Sequence, residues 1–259
     1  MPSHAAPSAE PAVDVVVRTF NSDRHLEECL ASARRSLPVG RLIVVDRSST
    51  DRTREISERF DAEIYQEEVG LGRATTLGIE RASTEHLLFL DSDVIVRRSD
   101  FCSKALERFR DPRVGAVVGC AIGHRFLYGL PLSLTMFRTS WVRSVLIPDA
   151  AQGRETYYLQ RALRRGRLHV EYVLDAMDHR SVYRHGHWPQ WQGAQTRIAA
   201  GFSARELVYS AMVILLIHMN SRKLRNLVYT PLFYGRFLQG FLAPEEWRTL
   251  DRRAVTLGS

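Results

Sequence analysis

The sequence predicts an α/β fold, a mostly parallel sheet flanked by helices, with a helical extension at the C-terminal end. The run Leu87-Leu88-Phe89-Leu90 is apolar at every position instead of alternating, as expected of a strand covered on both faces. Runs of this kind alternate with helical segments over residues 13–91, the pattern of parallel strands joined by right-handed crossovers. Beyond residue 190 that alternation gives way to long apolar and aromatic stretches, and these predict the extension.

Met1-Pro2-Ser3-His4-Ala5-Ala6-Pro7 opens a Pro/Ala arm, read as mobile over 1–11 and lacking the apolar core of a signal peptide. Val13 to Thr19 is a β-branched strand, followed by Phe20-Asn21 and a helix from Leu26 to Ser36. Arg41-Leu42-Ile43-Val44-Val45 is a second buried strand ending at Asp46. The polar turn Arg47 to Thr53 opens a helix from Thr53 to Phe60, with Asp51 read as a cap. A third strand near Glu63 to Gln66 leads through Gly70-Leu71-Gly72 into a helix ending at Ala82, and the fourth strand ends at Asp91.

That fourth strand delivers Asp91 and Asp93, separated by Ser92, to the carboxyl edge of the sheet, where open α/β folds bind ligands. Two carboxylates held together repel unless a cation lies between them. Oxygen ligands suit Mg²⁺ or Mn²⁺, ions that usually share their coordination with substrate phosphates.

Four motifs stand in order: Val-Val-Arg-Thr-Phe-Asn (16–21), Val-Val-Asp-Arg-Ser-Ser-Thr-Asp-Arg-Thr (44–53), Gly-Leu-Gly-x-Ala-x-x-x-Gly-Ile (70–79) and Leu-Phe-Leu-Asp-Ser-Asp (88–93). Downstream come Met136-Phe137-Arg138, then Glu155, Arg161, Gly166 and His179. Together they resemble family-2 inverting glycosyltransferases with a GT-A (Rossmann-like, nucleotide-sugar-binding) fold, over residues 12–180. The resemblance implies that Thr19, Asn21, Asp46, Gly72, Asp91 and Ser92 line the nucleotide pocket. It implies Asp91, Asp93 and His179 as ligands of Mn²⁺ or Mg²⁺, with His185 and His187 competing for the last place. Glu155 falls on the base that deprotonates the acceptor, with Asp149 or Asp175 as substitutes. Arg138 and Arg161 fall on acceptor or phosphate contacts, the latter in the run Arg161, Arg164, Arg165 and Arg167. The sequence departs from the family pattern at Arg18, where proline is common, at Thr75-Thr76, where Arg-Asn is usual, and at Arg154, where a second acid is usual.

Composition fits one substantial core: 259 residues, 45% hydrophobic and 25% charged. Cys29, Cys102 and Cys120 are scattered without ligand spacing and read as reduced thiols in a cytoplasmic setting. The net charge of +7 is carried almost entirely by arginine, since Lys104 and Lys223 are the only lysines. Such a surface suits phosphorylated substrates or anionic lipid, and no nucleic-acid-binding motif accompanies it.

Leu207 to Met219 is apolar but too short to span a bilayer. Basic residues Arg222, Lys223 and Arg225 follow it. Tyr229, Phe233, Phe237 and Phe241 then recur at four-residue spacing on a helix read as starting at Thr230-Pro231. The aromatic stripe has three readings: contact with the inner face of the cell membrane, a homodimer interface, or packing on the catalytic domain. The expected organisation is therefore an arm (1–11), a GT-A catalytic domain (12–190) and a helical extension (191–259). The expected activity is metal-dependent sugar transfer from a UDP- or GDP-sugar to a saccharide or lipid-linked acceptor. A polyprenyl-phosphate glycosyltransferase is the nearest alternative, since Gly-Leu-Gly-x-Ala is similar to that group too. A GT-A domain without turnover, serving as a binding or assembly module, is the other.

Overall fold

The computed structural model describes residues 12–149, 154–180, 187–221 and 223–248. In chain order its elements are β1 (Val13–Thr19), α1 (Asp23–Ser36), β2 (Val39–Asp46), α2 (Thr53–Arg59), β3 (Glu63–Gln66) and α3 (Leu71–Arg81). Next come β4 (His86–Asp91), β5 (Val94–Val96), α4 (Phe101–Arg108), β6 (Val114–Ala121), β7 (Leu134–Arg138) and α5 (Thr139–Arg143). Then follow α6 (Glu155–Arg165), β8 (His169–His179), α7 (Trp188–Ala200), α8 (Ala204–Asn220) and α9 (Leu224–Leu242). The N-terminal arm lies outside the described residues.

The strands form one sheet in the order β3-β2-β1-β4-β7-β6-β8-β5. The four strands expected from the apolar runs, β3-β2-β1-β4, are all parallel. Beyond them the sheet is mixed: β7 lies antiparallel between β4 and β6, β6 and β8 are parallel, and β5 is antiparallel to β8. Because strand side chains alternate between faces, the apolar runs split into two cores. Val13, Val15 and Val17 pack toward α1 and α4 with Leu26, Leu30 and Phe101, all buried. Val16, Ile43, Val45, Leu87 and Phe89 pack toward α3 and α6 with Leu77, Leu159 and Leu163. Gly78 lets α3 settle on β1, since a Cβ there would lie 2.4 Å from Val16 Cγ1.

The extension folds onto itself and onto the sheet domain. Helices α7 and α9 cross backbone to backbone at two glycines, where a Cβ on Gly193 would lie 1.9 Å from Phe237 O and one on Gly240 1.7 Å from Gln190 O. The crossing buries Phe237 and Phe241 with Ile214 and, partly, Phe233. Most of the aromatic stripe is therefore packing against α7, and only Tyr229 stays exposed. Helix α9 also begins earlier than Thr230-Pro231. It starts at Leu224 and runs through Pro231, because the aromatic face beyond the proline is pinned by α7. Helix α8 is tied to the sheet domain at both ends. Gln160 Nε2 donates to Tyr209 OH (3.3 Å), and Asn220 Oδ1 accepts from the backbone N–H of Arg125 (2.8 Å) and Phe126 (3.1 Å). Among the described residues no helix is long and apolar enough to cross a membrane.

Candidate active site

The ends of β1, β2 and β4 meet at one edge of the sheet, and alternation sends their last residues to opposite faces. Thr19 is in register with Asp46, and Arg18 with Asp91. On the α1 and α2 side, Thr19 Oγ1 donates to Asp46 Oδ1 (2.7 Å). The Asp46 carboxylate also accepts the backbone N–H (2.8 Å) and hydroxyl (2.6 Å) of Ser49. Ser49 Oγ accepts from Asn21 N–H (2.8 Å), and Asn21 Oδ1 accepts from Thr50 N–H (2.9 Å). Asn21 reaches this position with φ 47°, a conformation Asn tolerates better than most residues. Thr19, Asn21 and Asp46 thus form one hydrogen-bonded wall. Asp51, read as a cap, accepts from both Thr53 N–H (2.9 Å) and Asp23 N–H (3.0 Å), anchoring the first turns of α1 and α2.

Asp91, Asp93 and His179 each place a ligand atom within 4.8 Å of the other two. Their sequence separation is bridged by β5: Val94 pairs with His179, so the last residue of β8 lies beside Asp93. The His179 Nδ1 to Asp93 Oδ2 distance is 3.4 Å. Burial pushes the His179 imidazolium toward losing its proton, but the hydrogen bond and charge of Asp93, with the charge of Asp91, outweigh it and hold the pKa above the ordinary value. Two carboxylates and an imidazole make an O,O,N donor set suited to Mn²⁺ or Mg²⁺, so the residues fit such an ion. His187 is not in this cluster; its ring lies 5.2 Å from that of Trp247. His185 lies outside the described residues. Ser92 Oγ donates to Ser22 Oγ (3.0 Å), fastening the turn between the two aspartates to the start of α1.

Glu155 opens α6 on the stripe that buries Leu159 and Leu163 at i+4 and i+8, so helix packing turns it inward. It is only 5% exposed. Its Oε1 accepts from Arg18 Nη1 (2.7 Å), while Oε2 has no hydrogen-bond partner among the described residues. Arg18 Nη2 also donates to Asp91 Oδ1 (3.0 Å), and Nη1 to Thr75 Oγ1 (3.1 Å). One guanidinium therefore joins the end of β4 to the start of α6. Burial disfavours its charge, yet Glu155 and Asp91 overcome this and hold its pKa above the ordinary arginine value. Neighbouring Arg154 is half-buried, its Nη2 donating to Thr196 Oγ1 (2.5 Å) on α7. It serves the seam between α6 and the extension.

Several expected contacts are not brought to this edge. Arg138 sits opposite His86 because β7 runs antiparallel to β4, which puts it about 17 Å from the Asp91 end at strand spacing. There its guanidinium donates to the backbone carbonyls of Phe109 and Asp111. Arg161 is exposed on α6, about 9 Å along the axis from Glu155 and turned to a different face. Asp149 is exposed, and Asp175 occupies a bulge of β8 where its carboxylate accepts from Gly123 N–H (2.7 Å). Gly72 is buried in the first turn of α3. The preceding turn is held by Glu67, which accepts from Val69 N–H (2.8 Å) and Gly70 N–H (2.7 Å).

Sequence reasoning gave no role to Ser49, Thr75 or Arg18. The available signal was the parity of Arg18 with Asp91: a lone cation at the end of a buried β-branched strand needs carboxylate neighbours.

Known proteins resemble this chain in sequence and in fold. The model of Glycosyl transferase family 2 matches residues 14–141. An N-acetylglucosaminyltransferase of Rhizobium leguminosarum bv. viciae is 37% identical over 120 residues, 42% of this chain and 28% of that protein. An N-acetylglucosaminyltransferase of Rhizobium leguminosarum bv. trifolii is 33% identical over 124 residues, 43% of this chain and 68% of that protein. The chain thus spans less than a third of the first relative's length and about two thirds of the second's. Glucosyl-3-phosphoglycerate synthase of Mycobacterium tuberculosis, solved with Mn²⁺, UDP and glucosyl-3-phosphoglycerate, superposes with TM-score 0.60 at 19% identity, covering 75% of this chain and 82% of that one. A mannosyltransferase of Pyrobaculum calidifontis, solved with GDP-Man and Mn²⁺, gives TM-score 0.64 at 18% identity over 98% of this chain and 81% of that one. The mixed sheet with helices on both faces is the GT-A fold of those structures, and with the family model and these relatives matched, the chain belongs to glycosyl transferase family 2.

Proposed function

We propose that the chain is a metal-dependent, inverting glycosyltransferase that moves a sugar from a UDP- or GDP-sugar onto an acceptor hydroxyl. The observation that carries this reading is the convergence of Asp91, Asp93 and His179 beside the Thr19–Asn21–Asp46 wall, at the sheet edge that also receives Glu155. In it, Asp46, Thr19 and Asn21 hold the nucleotide base and ribose, while Gly72 and Ser92 shape the pocket's flanks. Asp93, His179 and Asp91 would hold Mn²⁺ or Mg²⁺, which when bound supplies positive charge toward a diphosphate leaving group. Glu155 takes the acceptor proton as the acceptor oxygen bonds to the anomeric carbon. The anomeric carbon–oxygen bond to the diphosphate breaks, and its electron pair leaves with the nucleotide diphosphate. Attack on the face opposite the leaving group gives inversion.

The extension supports a lipid-linked acceptor at a membrane surface. With the aromatic stripe buried, the exposed apolar face is a different one: Val208 (72%), Met212 and Leu215 on α8, with Leu224 (82%), Val228 (78%) and Leu232 on α9. Residues 204–242 carry five basic residues and one acid, Glu206, which is buried. An apolar face with cationic flanks complements an anionic bilayer. The hairpin tip also adjoins the β6–β7 loop at Arg125 and Phe126, on the same sheet edge as Asp91.

The first test is a thermal-shift panel of UDP, GDP and their sugars with and without Mn²⁺. Ligand stabilisation scales as RT ln(1 + [L]/Kd). A rise in melting temperature that needs both nucleotide and Mn²⁺ supports the reading; no shift with any nucleotide refutes it.

A further inference from the structure

The guanidinium of Arg18 lies between the two halves of the proposed reaction centre. It is 8% exposed at the side chain, and three of its N–H groups are engaged by Glu155, Asp91 and Thr75. It packs over the ring of Phe89, 5.7 Å from the centroid. Shielded from solvent and committed to protein partners, it has little left to offer a ligand directly.

Its effect on Glu155 is specific. A buried carboxylate held at one oxygen by a planar, hydrogen-bonded cation cannot turn freely. Oε1 is that oxygen; Oε2 is buried without a partner among the described residues. An unpartnered buried carboxylate oxygen is costly unless a donor arrives to fill it. An acceptor hydroxyl is such a donor.

We propose that Arg18 is the positioning residue of this site: it clamps Glu155 Oε1 so that Oε2 alone meets the acceptor, and its second contact, to Asp91, ties that orientation to the donor end. The inference rests on the transferase reading and on Glu155 as base. Arg18 stands where proline is common in the family pattern, and Thr75, which accepts from it, stands where arginine is usual.

The test uses wild type, Arg18→Lys, Arg18→Met, Glu155→Gln and the double variant Arg18→Met/Glu155→Gln. UDP and GDP binding with Mn²⁺ is measured by calorimetry. Turnover is followed as Mn²⁺-dependent release of nucleotide from UDP-N-acetylglucosamine and GDP-mannose, with water as acceptor. A positioning role lowers kcat for Arg18→Met about 10²-fold while leaving nucleotide Kd within about 3-fold, and Arg18→Lys recovers part of the loss. The double variant is then no slower than Glu155→Gln alone, since residues acting as one unit are non-additive. Unchanged kcat, additive losses, or a Kd that rises as kcat falls each overturn the inference.

Should Arg18→Met fail to fold, Arg18→Lys and the double variant, which removes the stranded charge, carry the test. A reading that needs no turnover comes from the same proteins: melting temperatures show coupling between Arg18 and Glu155, and that coupling changes when Mn²⁺ and the nucleotide that binds are added. Additive single substitutions overturn the inference there too. A wild type that binds neither nucleotide with Mn²⁺ refutes the transferase reading itself. One that binds, with Arg18→Met indistinguishable from it in coupling and kcat, refutes only the role of Arg18.

Discussion

Replacing Gly240 by alanine tests the helix crossing that seats the extension. A Cβ at Gly240 would lie 1.7 Å from Gln190 O, 2.5 Å from its carbonyl carbon and 2.8 Å from its Cα, where ordinary contact begins at 3.4 Å. The obstruction is backbone, so α7 and α9 must separate by more than an ångström, loosening the buried Phe237 and Phe241. Overpacking of this kind costs about 1–3 kcal/mol and at times more. With an obstruction of backbone the upper end of that range applies, and alanine's better helix propensity returns about 1 kcal/mol, leaving a net loss of about 2 kcal/mol. For a chain of this size that lowers the melting temperature by about 4–8 °C. Gly235 is the control. It lies in the same helix, exposed, and a Cβ there meets nothing within 4 Å, so Gly235→Ala should gain up to about 1 kcal/mol. Calorimetric melting of both variants decides the matter by sign. If Gly240→Ala is as stable as Gly235→Ala, the backbone crossing does not exist as described.

Three further outcomes follow from the geometry. Glu155→Gln should keep nucleotide affinity and lose about 10²–10⁴-fold in kcat, and near-normal turnover at saturating substrates would remove Glu155 as the base. Serine at Val208, Leu224 and Val228 should weaken sedimentation with phosphatidylglycerol vesicles without unfolding the chain, each fully buried side chain being worth about 1.5–3 kcal/mol, and the wild-type effect should fall with salt. Wild type that ignores vesicles but dimerises through these residues would show the face to be a homodimer interface instead. The hydrogen bonds from Arg41 hold the Glu63 carboxyl down at about 2. Its stabilisation is therefore full above pH 4.5 and lost as pH falls toward 2. Because both groups are partly exposed, the loss is under about 1 kcal/mol. Stability of Arg41→Gln relative to wild type, measured at pH 7 and at pH 2.5, should converge at the lower value.

The parallel half of the fold was legible because strands buried on both faces are written as unbroken apolar runs ended by polar residues, as at Asp46 and Asp91. The mixed half was not, since apolar content does not report direction. That is why Arg138, at the end of β7, was expected at the site and lies at the opposite edge. The meeting of His179 with Asp93 depends on β5, three residues long and too short to be recognised by pattern. Motif spacing points to His179, and the pairing of Val94 with His179 is what sets it beside Asp93. Arg18 was visible only as a departure from the family pattern. Its role appears when the register with Asp91 is known. The four-residue spacing of Phe233, Phe237 and Phe241 reported a helix face but not its cover, which is the α7 backbone admitted by Gly193 and Gly240.

The most direct measurement of the central claim is calorimetric titration of UDP and GDP, with and without Mn²⁺, into wild type, Asp93→Ala and His179→Ala. Wild type should bind one nucleotide more tightly when Mn²⁺ is present, and both variants should keep their fold while losing that metal-dependent increment. Equal metal-stimulated affinity in wild type and Asp93→Ala would contradict the assignment of this edge as the metal–nucleotide site.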